Sequence, residues 1–202
     1  MRRVMNKRNI AITGGIGSGK STVLSILRKY GYSVFSCDEI YREISITKNY
    51  IDKIQAQFPT VVREGVIDKK ALSNIIFQDE SAREALNKIA HPIIVNELFL
   101  RMKKAKGDLV FAEVPLLFET QEKTSFDGVI IVIREEAMRV KSIIDRDGIS
   151  EKEAKKRIAS QINYNELSSL TQVFQNTFVL SNNQGKEKLE KDLLNLISRM
   201  QS

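Results

Sequence analysis

Eight consecutive residues, Gly14-Gly15-Ile16-Gly17-Ser18-Gly19-Lys20-Ser21, match the pattern G-x-x-x-x-G-K-[ST], which needs a strand before it and a helix after it. Both are legible. Asn9 to Thr13 reads as a short apolar strand, and Thr22 to Tyr30 carries Val23, Ile26 and Leu27 at helical spacing before Gly31 closes the helix. Phosphate oxygens need backbone N–H groups at close range, and a run of glycines lets them approach because no Cβ stands in the way. Lys20 brings a positive charge to the β- and γ-phosphates of a nucleotide, and Ser21 offers a hydroxyl to Mg2+. The positive end of the following helix points at the same place. A glycine-rich turn that merely starts a helix is the plain alternative, and eight fitting positions in the right context weigh against it.

The rest of the chain alternates strands with helices. Ser33 to Ser36 reads as a second strand leading into a helix from about Asp38. Residues 42 to 106 hold no long β run but show apolar residues at helical spacing around Ile51 to Phe58, Leu72 to Phe77 and Ile93 to Met102, so a mainly helical insertion is expected. Leu109 to Val114 and Asp127 to Ile133 are near-continuous apolar runs, the kind buried on both faces of a parallel sheet. Thr177 to Ser181 is a fifth strand, and Lys186 to Met200 a last helix with Leu189, Leu193, Leu196, Ile197 and Met200 along one face. The expected class is a doubly wound α/β fold. A length of 202 residues suits one such domain with an insertion, and 42% hydrophobic with 28% charged residues excludes fibrous and wholly disordered chains. The longest aliphatic run, Val129 to Ile133, is far short of a membrane span. Arg2 and Arg3 are not followed by an apolar segment before Gly14, so no export signal and a cytoplasmic location are expected; Met5 is a second candidate start. The single cysteine, Cys37, permits neither an internal disulfide nor a cysteine-based zinc site.

The loop names a donor and leaves the acceptor open. No Asn/Thr-Lys-x-Asp follows it, since Asn87-Lys88 continues into Ile89-Ala90, so ATP is expected rather than GTP. Asp38, just after the second strand, belongs at the carboxyl end of a parallel sheet, where it can accept a proton from an acceptor hydroxyl. Ser36-Cys37-Asp38-Glu39 fits a capping box equally well, and the pattern leaves both readings open. The formal charge of +7 lies in residues 1 to 9, read as a solvated tail, and in residues 138 to 161. In the second segment Arg139, Arg146 and Arg157 flank the turn Asp147-Gly148-Ile149-Ser150, and Ser150 with Glu153 forms another capping box. Such a pair of helices can close over ATP and bring arginine to the γ-phosphoryl oxygens, or it can be a solvated amphipathic pair. Glu113 ends the third strand, either holding a metal-bound water or as an ordinary strand-end acid. His91 precedes Pro92 at an expected helix start, where packing or capping is the default. A sequence pI near 9.4 also raises a nucleic-acid-binding factor, but the charge balances outside the two segments and no basic stripe is interleaved with aromatics; no nucleic-acid partner is expected.

Five segments then take on a common meaning: residues 11 to 22 around the glycine loop, Ala90-His91-Pro92, Val114-Pro115-Leu116-Leu117-Phe118-Glu119, Arg146-Asp147-Gly148 and Arg157-Ile158-Ala159-Ser160-Gln161. They occur in the order seen in dephospho-CoA kinases, and the chain resembles that family over nearly its whole length. The resemblance implies a P-loop NTPase fold with a five-stranded parallel sheet flanked by helices, forming a single kinase domain over residues 1 to 202. It implies a helical acceptor-binding region from about 42 to 106 and a helical lid from about 138 to 162. It also implies transfer from MgATP to the ribose 3′-hydroxyl of dephospho-CoA, the last step of coenzyme A synthesis, by a monomer or weak homo-oligomer with no membrane partner.

Carried over by position, Asp38 matches the second acid of the family's Asp-x-Asp and becomes the general base, with Lys20 and Arg146 completing the catalytic set. ATP falls to Gly15, Ile16, Gly17, Ser18, Gly19, Lys20, Ser21, Thr22, Arg146, Arg157 and Asn182. The acceptor falls to Asp38, His91, Pro115 and Leu116. Mg2+ falls to Ser21, with Glu113 reaching it through water. Ser36, Lys69, Glu113 and Ser142 depart from the Asp, Arg, Asp and Arg usual at those places, which bears on acceptor contacts and rate. A kinase for another nucleoside or nucleotide would use the same donor site.

Overall fold

The computed structural model describes residues 7–115, 117–119, 125–164, 166 and 176–201. Along the chain run β1 (Arg8–Thr13), α1 (Lys20–Lys29), β2 (Ser33–Ser36), α2 (Cys37–Ile44), α3 (Lys48–Gln57), β3 (Val62–Arg63), β4 (Val66–Ile67), α4 (Lys69–Gln78) and α5 (Glu80–Lys104). They are followed by β5 (Leu109–Glu113), β6 (Gly128–Ile133), α6 (Glu136–Asp147), α7 (Glu151–Ala159), β7 (Thr177–Ser181) and α8 (Lys186–Gln201). The chain divides into two compact units, Met1–Val34 with Ala105–Ser202, and Phe35–Lys104. No helix among the described residues is long and apolar enough to cross a membrane.

The first unit is built on a five-stranded parallel sheet of order β2-β5-β1-β6-β7. β1 is central, with Ile10 opposite Phe111 of β5 on one side and Gly128 of β6 on the other. Alternation along each strand sends Ile10, Ile12, Leu109, Phe111, Ile130 and Val132 into one core with Val23, Leu24, Ile26 and Leu27 of α1 and Leu189, Leu193, Leu196, Ile197 and Met200 of α8. The intervening residues Ala11, Val110, Ala112, Val129 and Ile131 are fully buried as well. Burial on both faces is why these strands read as unbroken apolar runs, and each large aliphatic side chain so buried contributes about 1.5–3 kcal/mol. α1 ends in a Schellman motif: Tyr32 N–H reaches Leu27 O (3.1 Å) and Gly31 N–H reaches Arg28 O (3.0 Å).

The second unit packs α3, α4 and α5 around Tyr50, Ile54, Phe58, Val61, Leu72, Ala82 and Ala90. Asp68 caps α4, its Oδ1 accepting from the N–H groups of Lys70 (3.1 Å) and Ala71 (2.9 Å). One expectation is corrected here, and two details are added. His91-Pro92 does not open a helix: Pro92 lies inside the 25-residue α5. Proline withholds an N–H from the Lys88 carbonyl, but both residues are exposed, so water can serve that carbonyl. Ala82, Ala90, Leu98 and Met102 are buried on both sides of the proline, and that packing carries the helix through. The helical block also contains an antiparallel hairpin, β3 with β4, turned through Glu64 (φ 50°) and Gly65 (φ 74°). Finally, Ser36 stands at the N-cap of α2, but its hydroxyl makes no capping hydrogen bond, so the box with Glu39 does not form.

Candidate active site

The glycine loop leaves the central strand at the carboxyl edge of the sheet, where open α/β folds bind ligands. Its turn closes with Ser18 N–H on Gly15 O (3.2 Å), and Gly19 O accepts from Thr22 (3.0 Å) and Val23 (3.2 Å) to start α1. Lys20 curls back, its Nζ donating to Gly14 O (2.7 Å) and Gly15 O (3.3 Å). Ser21 is exposed in the first turn of α1 and Thr22 is half-buried.

Residues far away in sequence brace this loop. Gln161 Oε1 accepts from Ile16 N–H (2.7 Å), Arg139 Nε donates to Ile16 O (2.9 Å), and Asn182 Nδ2 donates to Ser18 O (2.9 Å). Asn182 reaches Ser18 because β7 runs beside β6, with Asn182 N–H on Ile133 O (2.9 Å). A Cβ on Gly19 would overlap Asn182 Nδ2, and its φ of +97° is one that side chains rarely accept. Arg134, just after β6, donates from Nη1 to Ser142 Oγ (2.8 Å). Ser18 is 1% exposed, and its Oγ has no hydrogen-bond partner among the described residues.

Glu113 ends β5 in register with Ile12, and Val114 N–H bonds Ile12 O (3.0 Å), so this residue stands beside β1 two residues before Gly14 opens the loop. Pro115 follows it, half-buried, and Leu116 lies outside the described residues. Among the described residues no group of three or more His, Cys, Asp or Glu side chains can hold a metal ion. Ser21 and Glu113 nonetheless fit Mg2+, a hard cation that takes one or two protein oxygens together with substrate phosphates rather than a full protein cage.

The helix pair α6 and α7 packs on Val140, Ile143 and Ala154. Gly148 ends α6 in the left-handed conformation, and Ser150 Oγ caps α7 by accepting from Glu153 N–H (3.2 Å). Two of the three arginines singled out by sequence, Arg146 and Arg157, converge on Asp147. Arg146 bonds it twice, Nε to Oδ1 (2.7 Å) and Nη2 to Oδ2 (3.0 Å), while Arg157 Nη1 reaches Oδ2 (2.9 Å) and its Nη2 reaches Glu153 (3.3 Å). The Arg146 hydrogen bond holds the Asp147 carboxyl below the usual range, with the charges of Arg146 and Arg157 adding to it. Side-chain exposures of 61% and 42% for Arg146 and Arg157 make these solvent-screened surface pairs that contribute little, so a phosphate can take the place of the carboxylate at small cost.

Asp38 and His91 belong to the second unit, Asp38 exposed in the first turn of α2 and His91 exposed on α5. The first unit thus gathers the loop, Glu113, Pro115 and Asn182. Arg139, Gln161, Arg134 and Tyr164, whose OH meets Thr13 Oγ1 at 3.4 Å, are the neighbours that sequence reasoning did not assign to the site. Arg139 stood in the basic segment and Gln161 closed the Arg157 to Gln161 motif, but nothing in their spacing points to Ile16.

A sequence model of the dephospho-CoA kinase family matches residues 8–188. A dephospho-CoA kinase of Fusobacterium nucleatum is 35% identical over 185 residues, covering 90% of this chain and 93% of its own. One of Geobacter sulfurreducens is 36% identical over 188 residues, with the same shares of 90% and 93%. Among solved structures, TT1252 from Thermus thermophilus superposes with a TM-score of 0.82 at 31% identity, covering 96% of this chain and 98% of that one. A dephospho-CoA kinase from Campylobacter jejuni does so at 0.68 and 25%, covering 96% and 97%. A shikimate kinase from Acinetobacter baumannii, at 0.56 and 16%, shares the P-loop NTPase fold alone, covering 96% of this chain and 95% of that one. A match running from the first strand into the last helix, through every segment that carries the loop and its braces, leaves one conclusion: the chain belongs to the dephospho-CoA kinase family, the phosphotransferases that catalyse the last step of coenzyme A synthesis.

Proposed function

We propose that this chain transfers the γ-phosphoryl group of ATP to the ribose 3′-hydroxyl of dephospho-CoA. The observation that carries the donor half is the braced loop, which opens α1 with Lys20 as the helix's first residue, so that the ammonium and the unpaired N–H groups of the helix start together favour an anion there. In the proposed reaction the 3′-oxygen forms a bond to the γ-phosphorus while the bond to the bridging oxygen of ADP breaks, and the hydroxyl proton passes to the Asp38 carboxylate. Lys20 meets the β- and γ-phosphates through the change, and Arg146 leaves Asp147 to meet the charge that builds on the transferred group. Gly15, Gly17 to Thr22, Arg157 and Asn182 serve ATP, whereas Ile16, expected from sequence to join them, has its N–H taken by Gln161. Ser21, with Glu113 through water, would hold Mg2+, which would supply charge neutralisation on the phosphates. The acceptor is assigned to Asp38, His91, Pro115 and Leu116, with the helices of residues 42 to 106 holding its pantetheine arm. Coupled ADP release tests the reading: release that depends on added dephospho-CoA supports it, and release that ignores the acceptor refutes it.

A further inference from the structure

Ile16 is the loop residue whose every group is taken by the helix pair or its flanks. Its N–H goes to Gln161, just beyond α7, and its carbonyl to Arg139 in α6. Its side chain packs into the apolar cluster between the two helices, against Val140, Ile143 and Ala154 with Ile144, Ile149 and Ile158. Arg139 is 7% exposed, and its guanidinium lies against Gly15, where a Cβ would overlap Nη2. Its own backbone carbonyl sits 2.8 Å from the place of a Cβ on Gly17. Three successive loop residues are therefore moulded onto α6. Burial pulls the Arg139 pKa down from its ordinary value, opposed by the charges of Glu136 and Tyr164, so the cation is held in this place at some cost.

A backbone N–H spent on Gln161 is not available to a phosphate. We propose that Ile16, Arg139 and Gln161 are positioning residues for phosphoryl transfer, fastening the phosphate-binding loop to the α6–α7 pair so that the helices set the loop's shape and carry it with them. The residues act through the loop and touch neither substrate. The inference rests on the loop being the ATP site, as proposed above, but not on the identity of the acceptor. It also gives the helix pair a reason to stay in register with the loop: Arg139 is seven residues, two helical turns, before Arg146 on the same helix. Movement of α6 that brings Arg146 to the γ-phosphate must pivot at Ile16.

The test is ATP binding by calorimetry together with steady-state kinetics, on Gln161→Leu, Gln161→Glu, Arg139→Ala and the Arg139→Ala/Gln161→Leu pair, all below their melting temperatures. Gln161→Leu strands the Ile16 N–H, and the ATP Kd is expected to rise about tenfold while the KM for the acceptor stays within about twofold. Gln161→Glu keeps an acceptor oxygen at the same reach and should return the Kd to within about threefold of the parent. The paired variant should lose clearly less than the product of the two single losses, because both act on one peptide unit. Ile16→Ala, with Ile16→Val restoring it, reads the apolar anchor separately should Gln161→Leu fold poorly. Glu as damaging as Leu means that Gln161 donates to substrate, multiplicative losses mean two unrelated roles, and a fall in melting temperature alone means a structural role; each result overturns the proposal. An enzyme that turns over dephospho-CoA but binds ATP regardless of Gln161 refutes the coupling and spares the function. One that binds ATP with the expected pattern but ignores dephospho-CoA does the reverse.

Discussion

Lys20→Ala separates the chemistry of the loop from its folding. In the structure the ammonium is half-buried and held by two neutral carbonyls, Gly14 O at 2.7 Å and Gly15 O at 3.3 Å. Hydrogen bonds from a charged donor contribute about 1.5–3 kcal/mol each, most of which water entering the vacated space recovers, and alanine at the first residue of α1 is the best helix former. The net change in stability is therefore about 1 kcal/mol or less, a melting shift of about 2–4 °C for a chain of this size. The kinetic loss is of another order. Removing one preorganised donor from a developing oxyanion costs about 2.7–4 kcal/mol, and a full positive charge belongs at the upper end, so kcat should fall about a thousandfold. The assay is kcat at saturating MgATP and dephospho-CoA, alongside thermal melting. A kcat within tenfold of the parent refutes the role given to Lys20, and a melting drop beyond about 10 °C would make it a structural residue.

Asp38→Asn should lower kcat about a hundredfold or more with little change in melting, since Asn is tolerated at a helix start almost as well as Asp; an unchanged rate with altered melting would return Asp38 to a structural role. Asn182→Ala strands the buried Ser18 carbonyl and should destabilise the protein by about 1–3 kcal/mol while weakening ATP binding in calorimetry; melting unchanged to within a degree would contradict the bracing. Asp147 has a depressed carboxyl pKa in the folded protein, so its contribution is present above the unfolded value and is lost as pH falls through the folded one. The melting difference between the parent and Asp147→Asn should therefore shrink from pH 5 to pH 3, and a constant difference would show that Arg146 and Arg157 do not hold it.

What the sequence made legible was local. The strand, loop and helix of residues 8 to 29 are specified by neighbours in the chain, and α8 by the spacing of Leu189, Leu193, Leu196, Ile197 and Met200. The same locality misled at Pro92, where a strong breaker is overridden by apolar contacts on either side of it, which no short window records. The hairpin at 62 to 67 was hidden because two-residue strands carry no periodicity; only Glu64-Gly65 marks its turn. The bonds that shape the site span 123 residues from Ile16 to Arg139, 145 to Gln161 and 164 from Ser18 to Asn182. Such pairs have no spacing rule, and the resemblance pointed only to Asn182, as a neighbour of the nucleotide rather than as a brace.

In the proposed reaction the reacting hydroxyl is that of dephospho-CoA, and the arm beyond it contributes binding energy to the transition state. Measuring kcat/KM at fixed MgATP for dephospho-CoA, adenosine and AMP tests it most directly, because all three offer a ribose 3′-hydroxyl on the same nucleoside. Remote contacts used for orientation should set dephospho-CoA ahead of both by at least about a hundredfold, about 2.7 kcal/mol of differential transition-state binding. Equal values for adenosine and dephospho-CoA would contradict the account and make this chain a nucleoside kinase built on the same donor site.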